Sequence, residues 1–301
     1  MRQKITLLSV LLSVLLLGAC GQSNQSDQEF LTEFDGKLEH VHGIGYMGEK
    51  GIAFASHDGL KFYKEKTWYA TTDQNNDYMG FNVVDKGFYT SGHPGKGSKL
   101  PNPLGIQKSS DDGKNLSDVA FEGDFDFHSM GVGDINHAIY VYNGHGNTQL
   151  SSGLHKTLDE GDSWERVKGE GINGEIVAIA VHPTNEKMIA VTTKNGVYLS
   201  EDGGEKFLPL EENVNGTAVY FSENKLWYGT FYSKPQLTTY DLEEETKEQI
   251  SLPKLGQDAV AYFDKKQESD EMVIYTYQNH AYITKNKGEK WSQIVTSGKV
   301  D

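Results

Sequence analysis

The chain has 301 residues, 43 acidic against 28 basic, for a formal charge of −15. That balance excludes the clustered basic surface that nucleic acid requires. The single Cys excludes a disulfide framework and any multi-Cys metal centre, and a hydrophobic fraction of 37% is too low for a polytopic membrane protein.

In chain order, Arg2 and Lys4 precede an almost unbroken apolar run from Ile5 to Leu17. The run is short for a membrane span and reads as a signal peptide over residues 1–19. Leu17-Gly18-Ala19-Cys20 resembles a bacterial lipobox, which implies lipidation of Cys20. Each buried methylene of an acyl chain contributes about 0.8 kcal/mol, so a multiply acylated Cys20 would hold the protein on the outer face of the bacterial cell membrane. Residues 20–36 are expected to form the lipidated Cys and its tether, polar and without apolar residues from Gly21 to Gln28. The folded domain is expected over 37–301.

From Phe30 onward the apolar pattern alternates or comes in short β-branched and aromatic runs bounded by Gly, Asn and Asp. Ile52-Ala53-Phe54-Ala55, Ala138 to Tyr142, Ile176 to Val181 and Met272 to Tyr277 are examples, and each reads as a strand. No long segment has helical periodicity. One short motif recurs. Its copies are Ser109-Ser-Asp111-Asp-Gly113-Lys-Asn-Leu116, Thr157-Leu-Asp159-Glu-Gly161-Asp-Ser-Trp164, Ser200-Glu-Asp202-Gly-Gly204-Glu-Lys-Phe207 and Thr284-Lys-Asn286-Lys-Gly288-Glu-Lys-Trp291. The repeat unit is about 43 residues, with two units between the third and fourth copies, and such a period with four strands per unit signals propeller blades. An all-β, six-bladed propeller of four-stranded antiparallel blades follows. The blades are expected at about 38–73, 77–121, 125–168, 174–211, 215–252 and 257–295, with Thr239-Tyr-Asp241-Leu-Glu243 as an eroded fifth copy of the motif.

Within the motif, the Asp can accept main-chain N–H groups of the turn, the Gly supplies a conformation that a Cβ resists, and the final apolar residue packs inward. The motif resembles the Asp-box, or BNR repeat, of β-propellers such as sialidases, sortilin-type receptors and photosystem assembly factors. That resemblance implies a structural role for the Asp residues rather than a catalytic one.

The ten His are uneven: eight precede residue 156. In a blade, the entry to strand 1 and the strand 2–3 turn share one face of the disc, and the motif turns occupy the other. His40, His42 and His128 fall at strand 1 entries. His57, His93 and His145 fall at strand 2–3 turns. Met79, Asp58 and Asp126 share that face. Alternation is expected to point His40 and His42 the same way. Imidazole suits zinc and copper, and thioether sulfur favours Cu(I), so this face is a candidate pocket for one Cu or Zn ion or a small ligand. His137, His155 and His182 are expected elsewhere.

His40-Val-His-Gly-Ile44, Ser56-His-Asp-Gly-Leu60, Tyr78-Met-Gly-Phe81, Ser91-Gly-His-Pro94 and Asp126-Phe-His128 together resemble a bacterial group of exported Asp-box propellers often labelled sialidase-like or glycosyl-hydrolase-like. Sialidases of this fold hold the substrate carboxylate with three Arg. Here Arg occurs only at Arg2 and Arg166, so that activity is excluded. Another glycoside hydrolase would need two carboxylates across a sugar site, with Asp58 and Asp126 the candidates by face. The leading expectation is a monomeric, lipid-anchored binding protein for a metal ion, a small ligand or a protein partner, with no role in binding nucleic acid.

Overall fold

The computed structural model describes residues 30–301, so the expected signal peptide, Cys20 and most of the expected tether lie outside the described residues. Six antiparallel sheets follow one another along the chain. Blade 1 holds β1 (Leu31–Glu33), β2 (Val41–Tyr46), β3 (Ile52–Ser56), β4 (Gly59–Lys64) and β5 (Thr67–Thr71). Blade 2 holds β6 (Asp77–Val84), β7 (Gly87–His93), β8 (Ile106–Ser109) and β9 (Ser117–Ala120). Blade 3 holds β10 (Met130–Val132), β11 (Ile139–Asn143), β12 (Gly153–Thr157) and β13 (Glu165–Arg166). Blade 4 holds β14 (Ile176–Val181), β15 (Ile189–Thr193), β16 (Gly196–Ser200) and β17 (Leu208–Glu212). Blade 5 holds β18 (Asn215–Ser222), β19 (Lys225–Phe231), β20 (Pro235–Asp241) and β21 (Lys247–Ile250). Blade 6 holds β22 (Val260–Lys265), β23 (Met272–Thr276), β24 (Ala281–Thr284), β25 (Trp291–Thr296) and β26 (Lys299–Val300). The protein is therefore a six-bladed β-propeller. Among the described residues no helix is long and apolar enough to cross a membrane.

The start of the domain lies earlier than the expected residue 37. Leu31, Thr32 and Glu33 pair with Thr71, Ala70 and Tyr69, adding a fifth strand to blade 1. Phe30 is buried, and Phe34 packs on the core. An apolar segment of this kind covers the open edge of β5, which would otherwise expose unpaired backbone groups.

The core is divided among the seams between blades. Each of six buried apolar clusters joins one blade to the next; Tyr140, Leu154, Ile179 and Tyr198, for example, fill the seam between blades 3 and 4. The ring closes where Ile44, Phe54 and Trp68 of blade 1 meet Val273, Tyr275 and Val295 of blade 6. No strand is exchanged at that seam. Closure rests on side-chain packing, on Leu38 N donating to Gly298 O at 2.8 Å, on the Lys37–Lys299 bridge and on Tyr46 N donating to Asp264 Oδ2 at 2.7 Å.

All four motif copies adopt one hydrogen-bond net. In the first, Ser109 Oγ donates to Asp111 Oδ1 at 3.0 Å and accepts from Gly113 N at 2.9 Å, while Asn115 N donates to Asp111 Oδ1 at 2.9 Å. The corresponding bonds recur around Asp159, Asp202 and Asn286. These bonds stabilise the carboxylate, and Asp159 is held down to about 2, chiefly by Ser163 and Thr157. Trp164 packs on Phe121 at 5.0 Å, and Trp291 Nε1 donates to Ser251 O at 2.7 Å. In blade 5 only a remnant survives: Asp241 Oδ1 accepts from Glu243 N and Glu244 N.

A second repeated feature matters more for the site. The innermost strands β2, β6, β14, β18 and β22 each shift register near their first residues. In β2 the shift falls between Val41 and Gly43, so His42 is the extra, unpaired residue. Bulges of this kind re-aim a side chain and favour the neighbourhood of functional sites.

Candidate metal centre

The inner strands of all six blades line a central channel of about 1770 Å³. At one end it is lined by His42 and His128, and at the other by Asp134, Lys265 and Gln267. Gln267 Nε2 donates to Asp134 Oδ2 at 2.7 Å, joining opposite blades across that second mouth.

Four His gather at the first mouth. His57 stacks on both His40 and His42, with ring centroids 4.8 Å apart in each case. His128 meets His42 edge-on at 6.3 Å. Simple strand alternation does not bring His40 and His42 together, because His42 sits in the bulge and His40 precedes the strand with a φ of 44°. That left-handed backbone is costly for a non-Gly residue, and here it lets both rings meet His57.

Donor atoms of His42, His57 and Asp77 lie within 4.8 Å of one another. One point therefore lies within about 2.8 Å of all three, against roughly 2.0–2.2 Å for a formed zinc bond. His57 is exposed, so side-chain rotation can close the remaining gap. Two of the donors, His42 Nε2 and Asp77 Oδ1, are buried and make no hydrogen bond, although Asp77 Oδ1 faces His57 Nε2 at 3.7 Å. Such an atom costs about 1–3 kcal/mol, and a bound cation would satisfy both at once. Burial, followed by the imidazoles of His57, His128 and His40, holds His42 down to about 4, which leaves it a neutral ligand near pH 7. Burial pushes the Asp77 carboxyl up, against the opposing pull of His57 and His93.

Behind this trio stands a second carboxylate. Asp126 Oδ2 lies 3.3 Å from His93 Nε2 and 3.2 Å from His128 Nδ1. The other nitrogen of His93, Nδ1, lies 2.7 Å from Asn102 Oδ1, so both of its ring nitrogens are engaged. His93 therefore belongs to the supporting layer rather than to the ligand set. Asp58 is taken up by Ser56 Oγ at 2.7 Å and Lys61 Nζ at 2.9 Å. His145 is on the expected face but exposed, and among the described residues no ring contact or ion pair joins it to the cluster. Met79 is buried on β6 two residues beyond Asp77, on the same side by alternation. His137, His155 and His182 lie elsewhere: His137 pairs with Asp85 at 2.7 Å, His155 lies 3.2 Å from Ser151 Oγ, and His182 lies 2.8 Å from Glu223 O.

Asp77 is the residue that sequence reasoning passed over. It opens blade 2 where Asp126 leads into blade 3, and it pairs directly with His93 in the sheet. The signal was a carboxylate at the strand 1 entry, two residues before Met79, which the sequence already placed on that face.

No family model matches the chain, and no curated protein matches it. Solved structures are similar in fold. One is an ancestral GH74 enzyme, at 13% identity and a TM-score of 0.54, covering 88% of this chain and 40% of that one. This chain thus spans less than half of that enzyme's length. YCF48 from Cyanidioschyzon merolae is 13% identical with a TM-score of 0.51, covering 90% of each chain. A structure of YCF48 bound to D1 peptide is 12% identical with a TM-score of 0.50, covering 87% of this chain and 83% of that one. At these identities the likeness establishes the propeller fold and nothing further about activity.

Proposed function

We propose that this protein is a lipid-anchored cell-surface propeller that binds one borderline transition-metal ion, Cu or Zn, through His42, His57 and Asp77. The supporting observation is the convergence of two imidazoles and a carboxylate, among which the buried His42 Nε2 and Asp77 Oδ1 make no hydrogen bond. Neutral imidazole and carboxylate form a mixed N/O donor set that suits these ions. The acidic surface raises the local cation concentration over a Debye length of about 8 Å. Elemental analysis of the purified protein after dialysis against Cu²⁺ or Zn²⁺ should find about one ion per chain. His42→Ala/His57→Ala should lose it, and His145→Ala should keep it. Unchanged stoichiometry in the double variant overturns the assignment.

A further inference from the structure

The trio supplies three donors, whereas zinc-like ions take at least four ligands. His40 and His128 are close by, yet neither shares the span of 4.8 Å that joins the three. His42 and His128 both line the channel, whose far mouth is crossed by the Gln267–Asp134 bond. Solutes therefore reach His42 most directly from the His end.

His128 is the one neighbour built to serve such a ligand without binding the ion. Its Nδ1 is tied to Asp126 at 3.2 Å, its side chain is 62% exposed, and among the described residues nothing bonds its Nε2. Asp126 is itself fixed by His93, which Asn102 braces from behind. This is the arrangement by which a carboxylate orients an imidazole and fixes which nitrogen carries the proton.

We propose that the ion held by His42, His57 and Asp77 keeps an open position at the channel mouth, where it takes a small anionic ligand from solution, and that His128, oriented by Asp126, hydrogen-bonds that ligand. The inference rests on the metal-binding reading above and adds to it that the site is open. It makes the propeller a receptor for a small anion through its ion, rather than a closed structural metal protein.

Co²⁺ is the probe, because its visible spectrum reports coordination. The purified protein is loaded with Co²⁺ and titrated with azide. A saturable change in the visible bands is expected. In His128→Ala, Co²⁺ should still bind one per chain while azide affinity falls about tenfold, the loss expected for one charge-assisted hydrogen bond. A Co²⁺ spectrum indifferent to azide means that a fourth side chain closes the site, and it overturns this inference while leaving the metal-binding reading intact. Loss of Co²⁺ from His128→Ala makes His128 a ligand and also overturns it. Failure of the wild-type protein to bind Co²⁺ overturns both readings together.

Discussion

Asp264 sits at the closing seam with its Oδ2 accepting Tyr46 N–H at 2.7 Å and its Oδ1 accepting Lys265 N–H at 2.6 Å. Burial pushes its carboxyl up to about 7, even though those two N–H groups and the Tyr220 hydroxyl pull the other way. Between about pH 4 and 7 the native state therefore keeps a proton that the unfolded chain has released, so stability falls as pH rises through that window and levels off above it. Urea unfolding of wild type and Asp264→Asn at pH 5 and pH 8 should show the gap moving by about 2–3 kcal/mol in favour of the variant at the higher pH. A gap independent of pH rules this out. Nothing in the local sequence Tyr262-Phe-Asp264-Lys announces the role, because the partner Tyr46 lies 218 positions away. His42 was legible as a candidate because of its type and its place at a strand entry. What was not legible was the bulge that turns it toward the channel, since strand alternation assumes unbroken pairing.

At the scale of the element, the repeated turn is the best-marked feature of the chain. Its Ser/Thr, Asp and Gly are locally spaced, so the sequence carries the whole hydrogen-bond net. Ser109 is buried, and its Oγ holds both Gly113 N and Asp111 Oδ1. Ser109→Ala leaves a buried N–H without a partner and should cost about 1–3 kcal/mol in chemical denaturation. The side chain of Ser117 is exposed on the neighbouring strand and bonds Lys108 O at 3.1 Å, so Ser117→Ala should stay within about 0.5 kcal/mol of wild type. Equal effects would show that the net adds nothing. The eroded blade 5 copy keeps Asp241 at its turn without the Ser–Gly pair. β1 escaped sequence reading for the opposite reason: three residues have no detectable period, and only the open edge of β5 gives them a place.

For the molecule as a whole, six seams rather than one centre carry the apolar burial, and the seam between blades 1 and 6 joins the two ends of the chain without an exchanged strand. The period of the turn motif sufficed to count the blades. The contacts that converge on the first mouth depend on ring geometry, which no local pattern encodes. The proposed membrane attachment is tested at this scale too: Cys20→Ser should move the protein from the membrane to the soluble fraction of cells, and an unchanged distribution would refute the anchor. Finally, the register shift that turns His42 inward recurs in other blades, with Val177 of blade 4 and Ala261 of blade 6 as the extra residues and both lining the same channel. The scaffold thus holds a set of interchangeable slots around one shaft. A lineage can acquire or lose a donor by a single codon change, with no new loop and no altered backbone, so binding chemistry is free to diverge while the architecture stays put.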